Sequence, residues 1–308
     1  MTELVILGGG PAGVSAGVYA ARKQINSILI TDDFGGQSIV SEDIQNWIGT
    51  PHIKGADLAK NLEAHVREYA GTTLEIRDKT RVTLVEKKGE TFIVHVQKRG
   101  KEIETIETKS VLVTTGSIRR KLEAVGADTF EHKGLTYCAS CDGLFFAGQD
   151  VVVVGGGNAG LESALQLAAY CTKVYVFNRT TVWRADPVTL ESAKKKANII
   201  LVENVVVDEI KGTQFVEGIL YTENGEKKEL ALSGVFVEIG QMPNTEYVKD
   251  VVERNAVGNI VVDPRTQRAS VTGVWAAGDC TDGLYHQNNI AAGDAVKALE
   301  DIYVWLQK

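Results

Sequence analysis

Two glycine-rich turns constrain the fold of this 308-residue chain more than any other feature of its sequence. Apolar residues 4–7 lead into the turn at 8–13, and a run of valines leads into the turn at 155–160. A helical stretch follows each turn, at 14–21 and at 161–169. In such a unit, glycine lets the backbone approach a pyrophosphate whose charge the helix N-terminus stabilises. One isolated match is weak evidence, but two copies in the same strand, turn and helix context predict two dinucleotide-binding units.

The segments after each turn predict how the two units are connected. Alternating residues at 81–85, 91–96 and 102–106 predict an antiparallel meander, and residues 110–114 return as a buried strand. The same order recurs after the second turn, but the C-terminal part from residue 260 has no glycine turn of its own. We therefore expect that part to complete the first unit, with the second unit inserted. The predicted fold class is α/β, with two Rossmann-like dinucleotide-binding domains of the three-layer ββα type.

An acidic residue is expected beside the first turn. Residues 27–31 predict the second strand of the unit, and either Asp32 or Asp33 lies at its end. That is near the spacing of about 20 residues at which an acid binds a ribose hydroxyl.

A pair of cysteines follows the first unit, in Cys138-Ala139-Ser140-Cys141-Asp142. With four cysteines in the chain, this one tight pair argues for a working dithiol and against a secreted disulfide framework. A zinc site would need two more ligands, and the nearest candidate, His132, has no obvious partner, so we expect no metal. Asp142 is either an acid that protonates a departing thiolate or a helix cap. Cys171 and Cys280 are expected to be small buried apolar residues.

Composition excludes several other classes of function. The net charge of −7 disfavours nucleic-acid binding, which draws its affinity from clustered cations. No apolar run is long enough to span a membrane, and the first strand begins near Leu4 without a cleavable signal before it. We therefore expect a cytoplasmic protein with no membrane and no nucleic-acid partner.

These motifs together resemble the low-molecular-weight thioredoxin reductases, flavoproteins that pass electrons from NADPH through FAD to a disulfide. The resemblance covers essentially the whole chain and implies an FAD-binding domain at 1–116 and 247–308, with an NAD(P)H-binding domain at 117–246 that carries the dithiol. It rests on the two glycine turns, the dithiol and the following segments: Gly35-Gly36-Gln37, Asn46-Trp47, Thr115-Gly116, Gly240, Pro243-Asn244-Thr245 and Ala277-Gly278-Asp279. Residues 236–281 look even closer to the flavoprotein subunit of alkyl hydroperoxide reductase. That relative has an extra N-terminal disulfide domain, so the early first strand favours the shorter architecture.

The resemblance implies a role for each matching residue. Cys141 would accept electrons from the flavin, Cys138 would attack the substrate disulfide, and Asp142 would be the acid. The residues implied to hold FAD are Gly8, Gly10, Pro11, Ala12, Gly13, Asp32, Gly36, Gln37, Asn46, Val82, Gly278, Asp279, His286, Gln287 and Asn288. Those implied to hold NADP are Gly155, Gly157, Asn158, Ala159, Asn178, Arg179, Arg184 and Gly240. The family also implies a homodimer, a thioredoxin-like protein as partner, and a rotation between the domains during turnover.

Two positions depart from the family pattern. Where the family has His-Arg-Arg followed by a further Arg, this chain has Asn178-Arg179-Thr180 and Arg184. Arg179 and Arg184 suit a 2′-phosphate, and Asn178 is not the acid typical of NADH enzymes, so NADPH is favoured over NADH or another donor such as ferredoxin. His286 replaces an Arg, and either approaches the flavin or faces the solvent.

The leading prediction is a thioredoxin reductase-like enzyme that uses NADPH and FAD. The enzyme alternatives are a disulfide reductase with another electron donor and one that feeds a peroxiredoxin. A non-catalytic flavin redox sensor is the alternative outside enzymes, and the intact Cys138, Cys141 and Asp142 argue against it.

Overall fold

The computed structural model describes residues 1–41 and 44–308, and of Val40 and Cys141 only the backbone. The chain divides into two compact units. The first consists of Met1–Ile118 and Met242–Lys308, and the second of Arg119–Gln241. The functional domain limits expected from the sequence, after residue 116 and before residue 247, stay a prediction.

The secondary structure alternates strands and helices in both units. The strands are β1 (Thr2–Gly9), β2 (Ser27–Phe34), β3 (Leu74–Arg77), β4 (Thr80–Lys88), β5 (Thr91–Lys98), β6 (Ile103–Val113), β7 (Ser117–Arg119), β8 (Leu135–Thr136), β9 (Asp150–Val154), β10 (Lys173–Phe177), β11 (Ile199–Val202), β12 (Val205–Gly212), β13 (Val216–Glu223), β14 (Glu226–Ala231), β15 (Gly234–Val237), β16 (Gln241–Pro243) and β17 (Val274–Ala276). The helices are α1 (Pro11–Arg22), α2 (Gly55–Glu68), α3 (Ala127–Phe130), α4 (Ala139–Asp142), α5 (Asn158–Leu167), α6 (Pro187–Lys194) and α7 (Asn288–Leu306). Short 3₁₀ turns lie at Gly36–Val40, Gly143–Phe146 and Glu246–Val248.

The first unit is built on a mixed sheet in the order β3-β2-β1-β6-β5-β4, with β17 also paired to β6. Sequence analysis expects separate strands at 102–106 and 110–114, whereas the structure has the single strand β6. Its first half pairs antiparallel with β5 and its second half parallel with β1, so one long strand serves both the meander and the parallel layer. C-terminal β17 completes this sheet by pairing parallel with β6.

Helices α1 and α7 pack on one face of the first sheet. Alanines at their contact, such as Ala16 and Ala20 of α1 and Ala295 and Ala298 of α7, are fully buried. Small side chains let two helices approach closely, and the larger Trp275 fills the space beneath them. The C-terminal helix is therefore part of the core of the first unit.

The second unit contains a parallel sheet in the order β11-β10-β9-β15-β8 and an antiparallel sheet of β12, β13 and β14. The valines of central β9 are buried, as expected for a parallel strand covered on both faces. A tight hairpin turn joins β13 to β14, with Asn224 and Gly225 both at positive φ. Within the described part of the chain, no helix is both long and apolar enough to cross a membrane.

Candidate functional site

The first glycine turn joins β1 to α1 and packs the strand tightly against the helix. A Cβ at Gly13 would overlap the Gly8 carbonyl oxygen, and a Cβ at Gly9 would overlap Thr31 Oγ1. Gly10 differs, because the nearest atom to its Cβ position is Gly36 Cα, 3.8 Å away. Two glycines therefore permit close packing, while Gly10 leaves room beside the N-terminus of α1 for a phosphate group.

A cavity of about 380 Å³ opens at this turn within the first unit. Most of the predicted flavin residues line it: Gly8, Gly10, Pro11, Ala12, Asp32, Gly36, Gln37, Val82, Gly278, Asp279 and Asn288. Gly13, Asn46, His286 and Gln287 are not among its lining residues.

The loops that carry Asn46 and Gln287 are nevertheless joined. Asn46 Nδ2 donates to Gln287 Oε1 at 2.9 Å, and Asn289 Nδ2 donates to the Asn46 carbonyl at 2.6 Å. The His286 side chain is exposed, and its Nε2 lies 3.1 Å from the Gly283 carbonyl. These contacts place His286 in the same loop cluster as Gln287, at the start of α7.

Polar residues that sequence analysis did not assign also line the cavity. Thr115 Oγ1 donates to the Asn244 carbonyl at 2.6 Å. Its single proton is thereby used, so the Tyr247 hydroxyl, 2.7 Å away, donates to Thr115. Burial raises the pKa of Tyr247, which keeps this hydroxyl protonated. The Pro243-Asn244-Thr245 motif was the sequence signal for this part of the cavity wall, but the contact between Asn244 and Thr115 is visible only in the structure.

Asp32 and Asp33, the two candidates for the ribose-binding acid, lie near the end of β2. Asp32 lines the cavity, and its Oδ1 lies 3.3 Å from Arg99 Nε in the turn after β5. Arg99 also lies 3.6 Å from Asp33, so it faces both carboxylates. Arg99 is mostly exposed, which leaves Asp32 open to exchange this partner for a ligand hydroxyl.

The second glycine turn repeats the geometry of the first, between β9 and α5. A Cβ at Gly160 would overlap the Gly155 carbonyl oxygen, and a Cβ at Gly156 would overlap Asn178 Oδ1. Beyond its own chain neighbours, Gly157 has no atom of the described part of the chain within 4 Å of its Cβ position. The open glycine again lies at the start of a helix, where a phosphate is stabilised.

The loop after β10 is fastened to this second turn. The Arg184 amide donates to the Gly156 carbonyl at 3.0 Å, and Asn178 Nδ2 donates to the Val182 carbonyl at 3.0 Å. Asn178 is buried, whereas Arg179 and Arg184 are exposed. Across the described ranges, neither guanidinium pairs with a carboxylate. Two available cations therefore flank the turn.

The helix after this loop is tied to the same turn. Asn158 Nδ2 donates to Asp186 Oδ2 at 2.9 Å, and the Asp186 amide donates back to Asn158 Oδ1 at 2.7 Å. The side chain of Asn158 is thus committed to positioning the start of α6 in this structure.

A second cavity, of about 330 Å³, lies within the second unit. Two of the predicted nucleotide residues, Ala159 and Gly240, line it, whereas Gly155, Gly157, Asn158, Asn178, Arg179 and Arg184 do not. Burial raises the pKa of Glu238 in its wall, and Ser163 Oγ donates to Glu238 Oε1 at 2.9 Å. Sequence analysis did not single out Glu238, because nothing in the pattern shows that the carboxyl is buried.

Cys138 is disulfide-bonded in this structure and partly buried, and the Cys141 side chain lies outside the described residues. Cys171 and Cys280 are free and buried. Burial raises the pKa of Cys171 to about 11 and that of Cys280 to about 12, so both stay protonated and unreactive. Their predicted role as small buried apolar residues is confirmed.

The carboxylate of Asp142 is held by a threonine that sequence analysis missed. Thr136 Oγ1 donates to Asp142 Oδ2, and the Cys138 amide donates to the same Thr136 oxygen at 3.4 Å. The Asp142 amide donates to the Cys138 carbonyl at 3.1 Å. Asp142 makes no side-chain capping bond to the Gly143–Phe146 turn that follows it, so the geometry does not support the helix-cap alternative. Among the described residues, no group of three or more His, Cys, Asp or Glu could hold a metal ion.

A known protein family shares these features. The model of the pyridine nucleotide-disulphide oxidoreductase family matches residues 2–295. The chain belongs to this family. Family membership implies FAD and a pyridine nucleotide as cofactors, and the two glycine turns, each with one open glycine, fit two dinucleotides.

Individual relatives extend the comparison. The chain is similar to the thioredoxin reductase of Lactococcus lactis (TM-score 0.86, 30% identity, 100% of this chain and 99% of that chain). It is also similar to the thioredoxin reductase of T. acidophilum (TM-score 0.83, 34% identity, 99% of each chain). These matches confirm the predicted resemblance and fold class.

Among curated sequences, this chain is 39% identical to an NADH dehydrogenase of Bacillus subtilis over 96% of this chain and 57% of the relative. It is 35% identical to a subunit of the alkyl hydroperoxide reductase of Escherichia coli over 96% of this chain and 56% of the relative. The chain thus spans little more than half the length of these curated relatives.

Proposed function

We propose that this protein is a thioredoxin reductase-like flavoenzyme that passes electrons from NADPH, through FAD and a Cys138–Cys141 disulfide, to the disulfide of a thioredoxin-like protein. The observation that carries the proposal is the arrangement around Cys138. A disulfide-bonded cysteine lies beside a carboxylate that a buried threonine holds in place, in the same unit as the second glycine turn. A disulfide next to a positioned acid suits thiol–disulfide exchange.

In this proposal the first cavity would hold FAD, and Gly10 and the N-terminus of α1 would bind its pyrophosphate. Asp32 would accept hydrogen bonds from the ribose hydroxyls of the adenosine half, either beside its exposed contact with Arg99 or in place of it. When bound, FAD supplies the chemistry that converts a hydride into an electron pair for a disulfide. In the polar wall formed by Thr115, Asn244 and Tyr247, both hydroxyls have a defined partner.

The dithiol step follows from ordinary thiol–disulfide exchange. The Cys138 thiolate attacks one sulfur of the substrate disulfide, so that a new S–S bond forms and the substrate S–S bond breaks. The departing substrate sulfur takes a proton from Asp142. The Cys141 thiolate then attacks the Cys138 sulfur, which restores the enzyme disulfide and releases the second substrate sulfur as a thiolate that takes its proton from solvent. The substrate gains two electrons and two protons, and the enzyme dithiol is oxidised.

The second glycine turn favours NADPH when it is compared with the first. Thr31 packs against Gly9 in the first turn as Asn178 packs against Gly156 in the second, so the two side chains occupy equivalent positions. The residue after Thr31 is Asp32, and the residue after Asn178 is Arg179. An acid accepts from ribose hydroxyls, whereas an arginine donates to a 2′-phosphate.

NADH is the second candidate donor, because curated relatives at 39% and 37% identity are named NADH dehydrogenases. The presence of alkyl hydroperoxide reductase subunits among the relatives likewise supports a peroxiredoxin system as the alternative acceptor. We further propose a homodimer, on the family resemblance, which sedimentation of the purified protein would check.

The proposal is tested by mixing the flavin-loaded protein anaerobically with NADPH and, separately, with NADH. We expect fast bleaching of the flavin absorbance by NADPH and reduction of a thioredoxin disulfide in the following step. Cys138→Ser should keep the bleaching and abolish disulfide reduction. Faster bleaching by NADH would transfer the donor assignment to NADH, equal bleaching would refute a preference for NADPH, and bleaching by neither nucleotide would refute both donors. Disulfide reduction by Cys138→Ser at the wild-type rate would refute the dithiol step.

A further inference from the structure

Thr136 is placed where it can control the acid of the dithiol step. It is 6% exposed and lies in β8, where it pairs with Phe236 of β15 at the edge of the parallel sheet. Asp142, by contrast, ends the four-residue helix α4. One turn of helix has little stability of its own, so the orientation of the acid depends on its bond to the sheet.

The hydrogen bonds around Thr136 have a fixed direction. A hydroxyl has one proton to donate and accepts through its oxygen. A carboxyl oxygen without a proton only accepts, whether the group is ionised or carries its proton on the other oxygen. The Thr136 proton therefore goes to Asp142 Oδ2, and the Thr136 oxygen accepts from the Cys138 amide at 3.4 Å. One buried oxygen atom therefore joins the acid to the backbone of the cysteine.

We propose that Thr136 is a positioning residue that holds Asp142 Oδ2 against the sheet and leaves Oδ1 to deliver the proton. This inference rests on the proposed disulfide reductase function and names a residue that the function requires. The proton on Oδ1 passes to the departing substrate sulfur as the substrate S–S bond breaks. The carboxylate that remains is stabilised by the Thr136 hydroxyl and is reprotonated from solvent in the next cycle. No electrons pass through Thr136.

The test compares Thr136→Val and Thr136→Ser in the flavin-loaded protein. Valine keeps the β-branched shape that suits a buried strand but has no hydroxyl, whereas serine keeps the hydroxyl. A misplaced catalytic group costs up to about 100-fold in rate, so we expect Thr136→Val to lower kcat for thioredoxin-disulfide reduction roughly 10- to 100-fold with little change in KM. The kcat of Thr136→Ser should stay within about threefold of the wild-type value, because serine keeps the hydroxyl and loses only the methyl group of threonine.

A double-mutant cycle separates positioning from a general effect on the loop. In the Asp142→Asn background, Thr136→Val should cause almost no further loss, because the carboxylate through which Thr136 acts is already gone. Thr222→Val is the matched control. Thr222 lies in β13 of the same unit, and its Oγ1 donates to Asp208 Oδ2 of the neighbouring strand β12 at 2.7 Å. This substitution removes a threonine–aspartate bond away from the dithiol and should leave kcat unchanged.

The possible outcomes are distinct. A kcat of Thr136→Val equal to that of the wild type would overturn the role of Thr136 while leaving the proposed function intact. An equally large loss in the Asp142→Asn background would also overturn it, because Thr136 would then act on the fold of the loop. If the wild type reduced neither a thioredoxin disulfide nor a small aromatic disulfide, the proposed function and the role of Thr136 would both be wrong. Urea unfolding of each variant would confirm that the rates belong to folded protein.

Discussion

Gly157→Ala places a methyl group in the space where the second turn is expected to meet the pyrophosphate of the nucleotide. Gly157 lies just before α5 at φ −95°, a backbone conformation that alanine adopts without strain. Apart from its immediate chain neighbours, no atom of the described residues lies within 4 Å of the new Cβ. We therefore expect the substitution to obstruct the nucleotide while leaving the protein packing unchanged.

The size of the effect follows from the bonds that a displaced phosphate loses. A hydrogen bond to a charged group contributes about 1.5–3 kcal/mol, so the loss of one such bond weakens binding roughly 10- to 100-fold. The cost to folding is smaller, because alanine in place of glycine at a helix N-cap destabilises by about 0.5–1 kcal/mol. Binding and stability should therefore separate clearly.

Titration calorimetry with NADP⁺ on the flavin-loaded protein measures the nucleotide affinity, and urea unfolding measures the stability. Gly156→Ala is the matched comparison, because its methyl group would overlap Asn178 Oδ1 and should lower stability by about 1–3 kcal/mol through overpacking. Nucleotide affinity of Gly157→Ala equal to that of the wild type would refute the assignment of this turn as the nucleotide site. Strong destabilisation by Gly157→Ala would refute the claim that the position is open.

Three further substitutions test other parts of the structure. Gly13→Ala would overlap the Gly8 carbonyl, so we expect loss of bound flavin and about 1–3 kcal/mol of stability, and full flavin retention in purified protein would contradict this. Tyr247→Phe removes the donor to Thr115 and should lower the free energy of unfolding by about 1 kcal/mol. An unchanged midpoint of urea unfolding would contradict this. Burial raises the pKa of Glu238 above its usual 4.5, so protonation stabilises the fold below pH 4.5, and this contribution is lost as the pH rises through the folded-state pKa. Glu238→Gln, always neutral, should therefore be more stable than the wild type at neutral pH and match it below pH 4.5, and a difference independent of pH would exclude this cause.

The elements around both glycine turns could be predicted from the sequence because local rules determine them. Apolar strands, glycine turns and alanine-rich helices follow one another within about 20 residues, and β1, α1, β9 and α5 appear where these patterns place them. The single strand β6 could not be predicted, because the residues between its two halves read as a break in the alternation. Its continuity comes from pairing with strands on both sides, a non-local effect.

The site was predictable to the extent that it depends on motifs. The cysteines and Asp142 are adjacent in sequence, whereas Thr136 acquires its importance through a bond to a side chain six positions away. Threonine in a short strand has many ordinary roles, and no pattern distinguishes this one. Tyr247 and Thr115 were hidden for the same reason, since 132 positions separate them in the chain.

Asn178 shows how a contact changes the interpretation of a motif. By its place in the motif it stands where the family has histidine, which makes it a candidate ligand of the nucleotide. In the structure its amide is buried under Gly156 and donates to the Val182 carbonyl, just as Thr31 packs under Gly9 in the first turn. Because Asn178 braces the turn, its lack of charge carries no information about the donor. We therefore expect selection between NADPH and NADH to depend on the next position, Arg179, and on Arg184, whose backbone is bonded to the turn itself.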